Sequence, residues 1–258
     1  TNLATAADGK ARLASFGTAI NAVIVGASGG IGAAFADHLR CNPAVAHVFQ
    51  LSRTMPVSTS GTRPWLAIDL TDEYSIETAA KSIRGAVDEL HLVIVATGIL
   101  HDADGLQPEK SWRGISPEAM QTAFTTNTIG PSLIAKHFLP LLAKQRKAAF
   151  AALSARVGSI GDNRLGGWHA YRASKAALNM VLKTLSIELA RRNPAALCIG
   201  LHPGTVDTAL SQPFQTSVAK GRLFSPHPTA GHLLGVLETL GPSDSGGVFA
   251  WDGTRIPN

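Results

Sequence analysis

A tyrosine and a lysine four positions apart, Tyr171 and Lys175, are the residues whose types and spacing point most directly to chemistry. The run over residues 173–188 is rich in helix formers, with Ala177, Leu178, Val181, Leu182 and Leu185 at helical spacing and Leu189 just beyond, so a helix is expected there. Residues i and i+4 of a helix stand one turn apart on the same face, so a phenol and an ammonium would project together. A cation beside a phenol favours the phenolate and draws its pKa down from about 10 toward working pH. A tyrosine in that setting is a usable general acid or base.

A second group of residues is suited to holding phosphate. Residues 21–26 form a short apolar, β-branched run that reads as a buried strand, and Gly26-Ala27-Ser28-Gly29-Gly30-Ile31-Gly32 follows directly, ahead of a helix over residues 33–40. Strand, glycine loop and helix N-terminus together present unpaired backbone N–H groups to an anion, and the glycines permit the tight turn and close approach of a pyrophosphate. No Gly-Lys-Ser/Thr follows, which argues against a P-loop NTPase. A second strand, over residues 47–52, ends in Ser52-Arg53 where dinucleotide-binding folds that use NAD carry an acid for the ribose hydroxyl. An arginine there pairs with a 2′-phosphate through a forked, charge-assisted contact, which points to NADP rather than NAD. Asp69, at the end of a third strand over residues 62–70, is placed to accept a hydrogen bond from an adenine amino group.

The elements that must position these groups are legible in the same way. Apolar strands are expected over residues 91–98, 148–154, 195–201 and 247–251, and helices over about 73–90, from 116 or 117 to 145, and over 229–240. This alternation argues a single-domain, doubly wound α/β fold of Rossmann type, with a mostly parallel seven-stranded sheet and helices on both faces. All parallel strands then end on one edge, where Gly26, Arg53, Asp69, Gly98, Ser154 and Pro203 gather and where such sheets bind ligands. Residues 209–228 carry three prolines and little periodicity, and read as a lid over that edge. Residues 1–20 are expected to form an N-terminal extension to a domain spanning 21–258.

Composition narrows the function classes. With 45% hydrophobic and 16% charged residues, the chain has ample material for a core. The net charge of +5 is spread without a basic stripe or interleaved aromatics, so nucleic-acid binding is unsupported. Cys41 and Cys198 are isolated and have no zinc-ligand spacing. No apolar run approaches the roughly 18 residues that span a membrane, and the expected compartment is the cytoplasm.

Taken in order, Gly26-x-x-x-Gly30-x-Gly32, Asp69, Gly98, Asn127-Thr128-Ile129-Gly130, Ser154, Tyr171-x-x-x-Lys175 and Pro203-Gly204-x-Val206-x-Thr208 resemble the short-chain dehydrogenase/reductase family, from about residue 22 to 251. The long loop before Tyr171 and the Trp251-Asp252-Gly253 ending are most similar to the branch that contains C-signal and small carbonyl reductases. The resemblance implies an NAD(P)-dependent oxidoreductase that reduces a small-molecule carbonyl or oxidises an alcohol, working as a homo-oligomer, dimer or tetramer. A dinucleotide-binding regulator with little activity is the alternative.

By the same resemblance, Tyr171 exchanges the proton with the substrate oxygen, Lys175 holds the nicotinamide ribose and lowers the tyrosine pKa, and Asn127 holds a water in a relay behind Lys175. The cofactor would lie against Gly26, Ser28, Gly29, Gly30, Ile31 and Gly32, then Arg53, Asp69 and Leu70. Its nicotinamide half would meet Ala96, Thr97, Gly98, Tyr171, Lys175, Pro203, Gly204, Val206 and Thr208. The substrate-holding serine departs from the pattern: the family spacing from Tyr171 lands on Ala155. Ser154 beside it is the first candidate and Ser159 the second. The family's usual Asn-Asn-Ala-Gly after the fourth strand is Val95-Ala96-Thr97-Gly98 here.

Overall fold

The computed structural model describes residues 13–54 and 65–258. Within these ranges lie ten strands: β1 (Ile20–Val25), β2 (Val45–Ser52), β3 (Trp65–Ala67), β4 (Leu92–Val95), β5 (Ala148–Leu153), β6 (Ala196–His202), β7 (Thr205–Val206), β8 (Leu223–Phe224), β9 (Val248–Ala250) and β10 (Arg255–Ile256). The helices are α1 (Gly30–Arg40), α2 (Glu73–Ala86), α3 (Pro117–Phe124), α4 (Gly130–Phe138), α5 (His169–Ala190) and α6 (Pro226–Thr239). Eight strands form one sheet in the order β10-β9-β6-β5-β4-β1-β2-β3, parallel throughout except for the β9–β10 pair. The doubly wound fold is as expected, but the sheet has eight strands rather than seven. The added edge strand, β10, is two residues long and leaves no periodicity to read. The start of the expected third strand, residues 62–64, lies outside the described residues.

Both faces of the sheet are buried, which is why its strands are nearly continuous apolar runs. Ile24, Ile94, Ala149 and Ala151 pack with Phe35 and Leu39 of α1 and Leu233 and Leu237 of α6. Val23, Val93, Phe150 and Ala152 meet Ile76 and Ile83 of α2, Ile134 and Phe138 of α4, and Leu178 and Leu182 of α5. The inner part of the N-terminal segment belongs to the first of these cores. Leu13 and Phe16 are buried there, and Ser15 donates to the Glu238 carboxylate from its backbone N–H (2.9 Å) and its hydroxyl (2.8 Å).

Two departures bear on the site. The helix expected from residue 117 to 145 is broken into α3, a π-helical turn (Thr125–Ile129), α4 and a 3-10 turn (Leu139–Leu141). Such single-turn bulges arise where tertiary contacts outbid the regular helical ladder. In the segment over residues 209–228, the chain runs through a 3-10 stretch (Gln212–Ser217), returns as β8 alongside β7, and enters α6 three residues earlier than expected.

Candidate active site

A cavity of about 600 Å³ lies along the C-terminal ends of β1, β2, β4, β5 and β6. At one end is the glycine loop. Gly26 has φ +85°, and a methyl group on it would stand 2.8 Å from Thr97 Cγ2 and 3.1 Å from the Ala96 carbonyl. No side chain caps α1, whose N-cap is Gly29, so its first-turn N–H groups are left to the cavity wall formed by Ser28, Gly29, Gly30 and Ile31. Thr208 closes over this loop, its Cγ2 3.0 Å from where a Gly30 Cβ would be.

Gly32 does not line the cavity. It lets α1 lie against the loop, because a Cβ there would fall 2.1 Å from the Gly26 carbonyl oxygen. Gly32→Ala is therefore expected to lower stability by about 2 kcal/mol or more and to weaken dinucleotide binding at least about tenfold, measured by chemical denaturation and cofactor titration.

The middle of the cavity is polar. Arg53 is exposed at its edge just past β2. Asp69 Oδ1 accepts from Thr71 N (2.9 Å) and Thr71 Oγ1 (2.7 Å). Those two bonds, with the Arg53 charge as a lesser contribution, hold its carboxyl below the usual range. Leu70, Ala96, Thr97 and Gly98 complete this stretch, and the buried Thr97 Oγ1 has no hydrogen-bond partner. A backbone anion cradle and a guanidinium along one groove are donors suited to the phosphates of a dinucleotide.

Tyr171 and Lys175 meet at the other end, as the i, i+4 spacing predicts. Lys175 is buried; its Nζ donates to the Leu153 carbonyl (2.8 Å) and lies 5.8 Å from the centre of the Tyr171 ring. Burial pushes Tyr171 up to about 12 and Lys175 down to about 8. This corrects the expectation of a lowered tyrosine pKa. The ammonium is bonded to a carbonyl rather than to the phenol, and desolvation of the phenolate prevails. Among the described residues no protein atom takes up the Tyr171 hydroxyl, whose side chain forms part of the cavity wall. The ring of Trp168 lies edge-on to Tyr171 (6.2 Å) and 5.2 Å from that of Phe214. Ala209 and Leu210 also line the cavity.

Asn127 sits behind this end, fully buried in the π-helical turn and outside the cavity wall. Its Oδ1 accepts from Ile99 N (2.8 Å), and its Nδ2 donates to Ile99 O (2.9 Å) and Ser174 Oγ (3.0 Å). Both amide protons are thus committed to protein, and the residue clasps the chain after Gly98 to the turn of α5 that carries Lys175. Gly204 and Val206 also lie outside the wall: Gly204 (φ +78°) turns the chain under the Phe224 and Trp251 rings, and Val206 is buried and pairs with Phe224. Pro203 and Thr208 do reach the cavity.

The serine candidates separate clearly. Ser154 is in the cavity wall, and its hydroxyl donates to Asn179 Oδ1 at 2.6 Å, one turn beyond Lys175 on α5. Ser159 is buried, accepts from Asp162 N (3.1 Å) and does not line the cavity. No local pattern marks Glu109 in the sequence. Its buried carboxylate accepts from Ala170 N (3.2 Å to each oxygen) and its carbonyl from Trp168 N (2.6 Å), so it caps α5 just ahead of Tyr171. Thr126 and Ile99 in the wall were equally unmarked.

A cavity at the strand ends with a glycine-loop anion cradle and a Tyr–Lys pair defines a nicotinamide-dependent oxidoreductase of the short-chain dehydrogenase type. The short chain dehydrogenase family model matches residues 21–219, and the chain belongs to that family. An uncharacterised oxidoreductase of Schizosaccharomyces pombe is 31% identical over 202 residues, 74% of this chain and 76% of that one. C-signal of Myxococcus xanthus is 36% identical over 138 residues, 54% of this chain and 78% of its own length. The structure of an NADPH-bound carbonyl reductase from chicken fatty liver superimposes with a TM-score of 0.78 at 27% identity, covering 93% of this chain and 95% of that one. Among the described residues no helix is long and apolar enough to cross a membrane.

Proposed function

We propose that the protein reduces a small aldehyde or ketone with NADPH, using Tyr171 as the acid that protonates the substrate oxygen. The observation that carries this reading is the Tyr171 side chain in the cavity wall, its phenol held in the protonated form by burial and backed by a buried ammonium. When bound, the reduced nicotinamide supplies hydride to the carbonyl carbon. The chain's residues manage the charge. Tyr171 gives up its proton as the carbonyl oxygen becomes an alkoxide, and the phenolate left behind lies beside the Lys175 ammonium in a site of low dielectric, where that attraction is strong. Ser154, whose single proton goes to Asn179, accepts a hydrogen bond or shapes the pocket rather than donating to the substrate in this arrangement. Asn127 holds the Gly98–Ile99 segment against α5. The carbonyl reductase named above binds NADPH, which agrees with this choice of cofactor. We also assign the exposed Met180 and Ile187 of α5, with Ile129, to the face through which copies pair.

NADPH oxidation with a panel of aldehydes and ketones tests the reaction; no turnover with any of them would count against it. Arg53 sets the cofactor preference. Arg53→Ala is expected to raise KM for NADPH about 10- to 100-fold, the loss of one charge-assisted phosphate contact, with KM for NADH changed less than about threefold. Equal effects on both cofactors would remove Arg53 from the 2′-phosphate.

A further inference from the structure

A second cavity, of about 290 Å³, opens farther along the same sheet edge, at the ends of β6 and β9. Arg156, His202, Arg222, Asp252, Phe224 and Trp251 are in its wall. The two cavities are separated by a single stretch of chain: Pro203 faces the first, while His202 and Gly204 on either side of it face the second. Two exposed guanidinium groups and one carboxylate stand in the wall of the second cavity. Arg156 gives one N–H to Asp162 outside the cavity (2.8 Å), and Asp252 accepts from Thr254 N (3.0 Å). The Arg222 side chain has no hydrogen bond or ion pair among the described residues.

His202 adds a second kind of deficit. Its Nδ1 is buried and has no hydrogen-bond partner among the described residues. Burial and the Arg156 charge hold the ring at about 4, with Asp252 opposing, so it is neutral at pH 7 and able to give one N–H. A buried polar nitrogen left unpaired is costly unless something brought to the site bonds to it. The Arg222 guanidinium, which has no ion-pair partner among the described residues, together with an unpaired imidazole nitrogen suits anionic oxygen. Two aromatic rings form part of the remaining wall: Phe224 and Trp251 are 4.7 Å apart, centre to centre, and inclined at 58°.

We propose that this second cavity is a carboxylate-binding site for a small aromatic or planar acid, with Arg222 and Arg156 on the carboxylate oxygens and His202 completing their hydrogen bonds. The carboxylate belongs either to the far end of the substrate, reaching past Pro203, or to a separate small acid. Both have the same recognition chemistry. Because Arg222 directly precedes β8, which pairs with β7 in a separate two-stranded sheet, a bound carboxylate also ties the chain at β8 to the ends of β6 and β9.

Calorimetric titration of the full chain with benzoate tests the site without any need for turnover. Benzoate is expected to bind. Arg222→Ala should weaken it about tenfold or more, Arg222→Lys less, and Asp252→Asn should tighten it several-fold by removing the like charge, a gain that misfolding cannot imitate. Kinetics then identify the source. If Arg222→Ala cuts kcat/KM about tenfold for 4-carboxybenzaldehyde and less than about twofold for benzaldehyde, the carboxylate is the substrate's own. If benzoate binding needs Arg222 but both aldehydes react as before, the site serves a separate acid. Absence of benzoate binding, or binding that Arg222→Ala leaves unchanged in a folded protein, overturns the proposal.

Discussion

Tyr171→Phe is expected to lower kcat for carbonyl reduction by about 10²- to 10⁴-fold, the usual contribution of a positioned general acid, while NADPH affinity stays within about twofold. The substitution removes one oxygen and little else. The ring keeps its edge-on contact with Trp168 at 6.2 Å and its place 5.8 Å from Lys175 Nζ. No described protein group loses a hydrogen bond, so stability should change by less than about 1 kcal/mol. Steady-state kinetics, cofactor titration and a denaturation curve on one variant check all three statements. Residual activity near that of the wild type would assign the proton to another cavity group, such as His101, whose Nε2 is bonded to Ala209 O at 3.1 Å.

What could be read from the sequence was what depends on near neighbours. The Tyr171–Lys175 pair is set by one helical turn, and the glycine loop by seven consecutive residues between an apolar strand and a helix. Strands buried on both faces announce themselves as apolar runs, so the fold class followed directly. What escaped depends on groups far apart in the chain. The π-helical turn at Asn127 exists because Ile99 and Ser174, 28 and 47 positions away, draw that side chain from two sides. Glu109 caps α5 from 61 positions away, with no local pattern to mark it. The Ser154 proton goes to Asn179, 25 residues on, which no motif spacing predicts. The tyrosine pKa was misjudged for a related reason: spacing reveals a neighbouring cation, but the depth of burial that opposes it is a property of the assembled fold.

Replacing Lys175 with methionine separates function from stability. Lys175 is desolvated and has one protein acceptor, the Leu153 carbonyl. Its pKa falls from 10.5 to about 8. Below pH 8 it is charged in both folded and unfolded chains, and the folded state carries the cost of burying that charge, about 3 kcal/mol by linkage. Between about 8 and 10.5 the unfolded chain binds more protons than the folded one, so wild-type stability rises with pH across that window. Tyr171 acts in the opposite sense above 10, where the folded chain retains a proton that the unfolded chain loses, up to about 12. Lys175→Met removes the rise between 8 and 10. At pH 7 it should stabilise the fold by about 1–2 kcal/mol, since stranding the Leu153 carbonyl offsets part of the relief. The same change takes away the cation proposed to support the Tyr171 phenolate, and kcat should fall about 100-fold or more. In the wild type, reduction should also slow as pH rises through about 8, as Lys175 loses its proton. Denaturation midpoints and kcat at pH 7 and 9.5 for both proteins decide the matter. A lysine that only braced the structure would lose stability and activity together, whereas a buried charge kept for chemistry gives a variant that is more stable and nearly inactive.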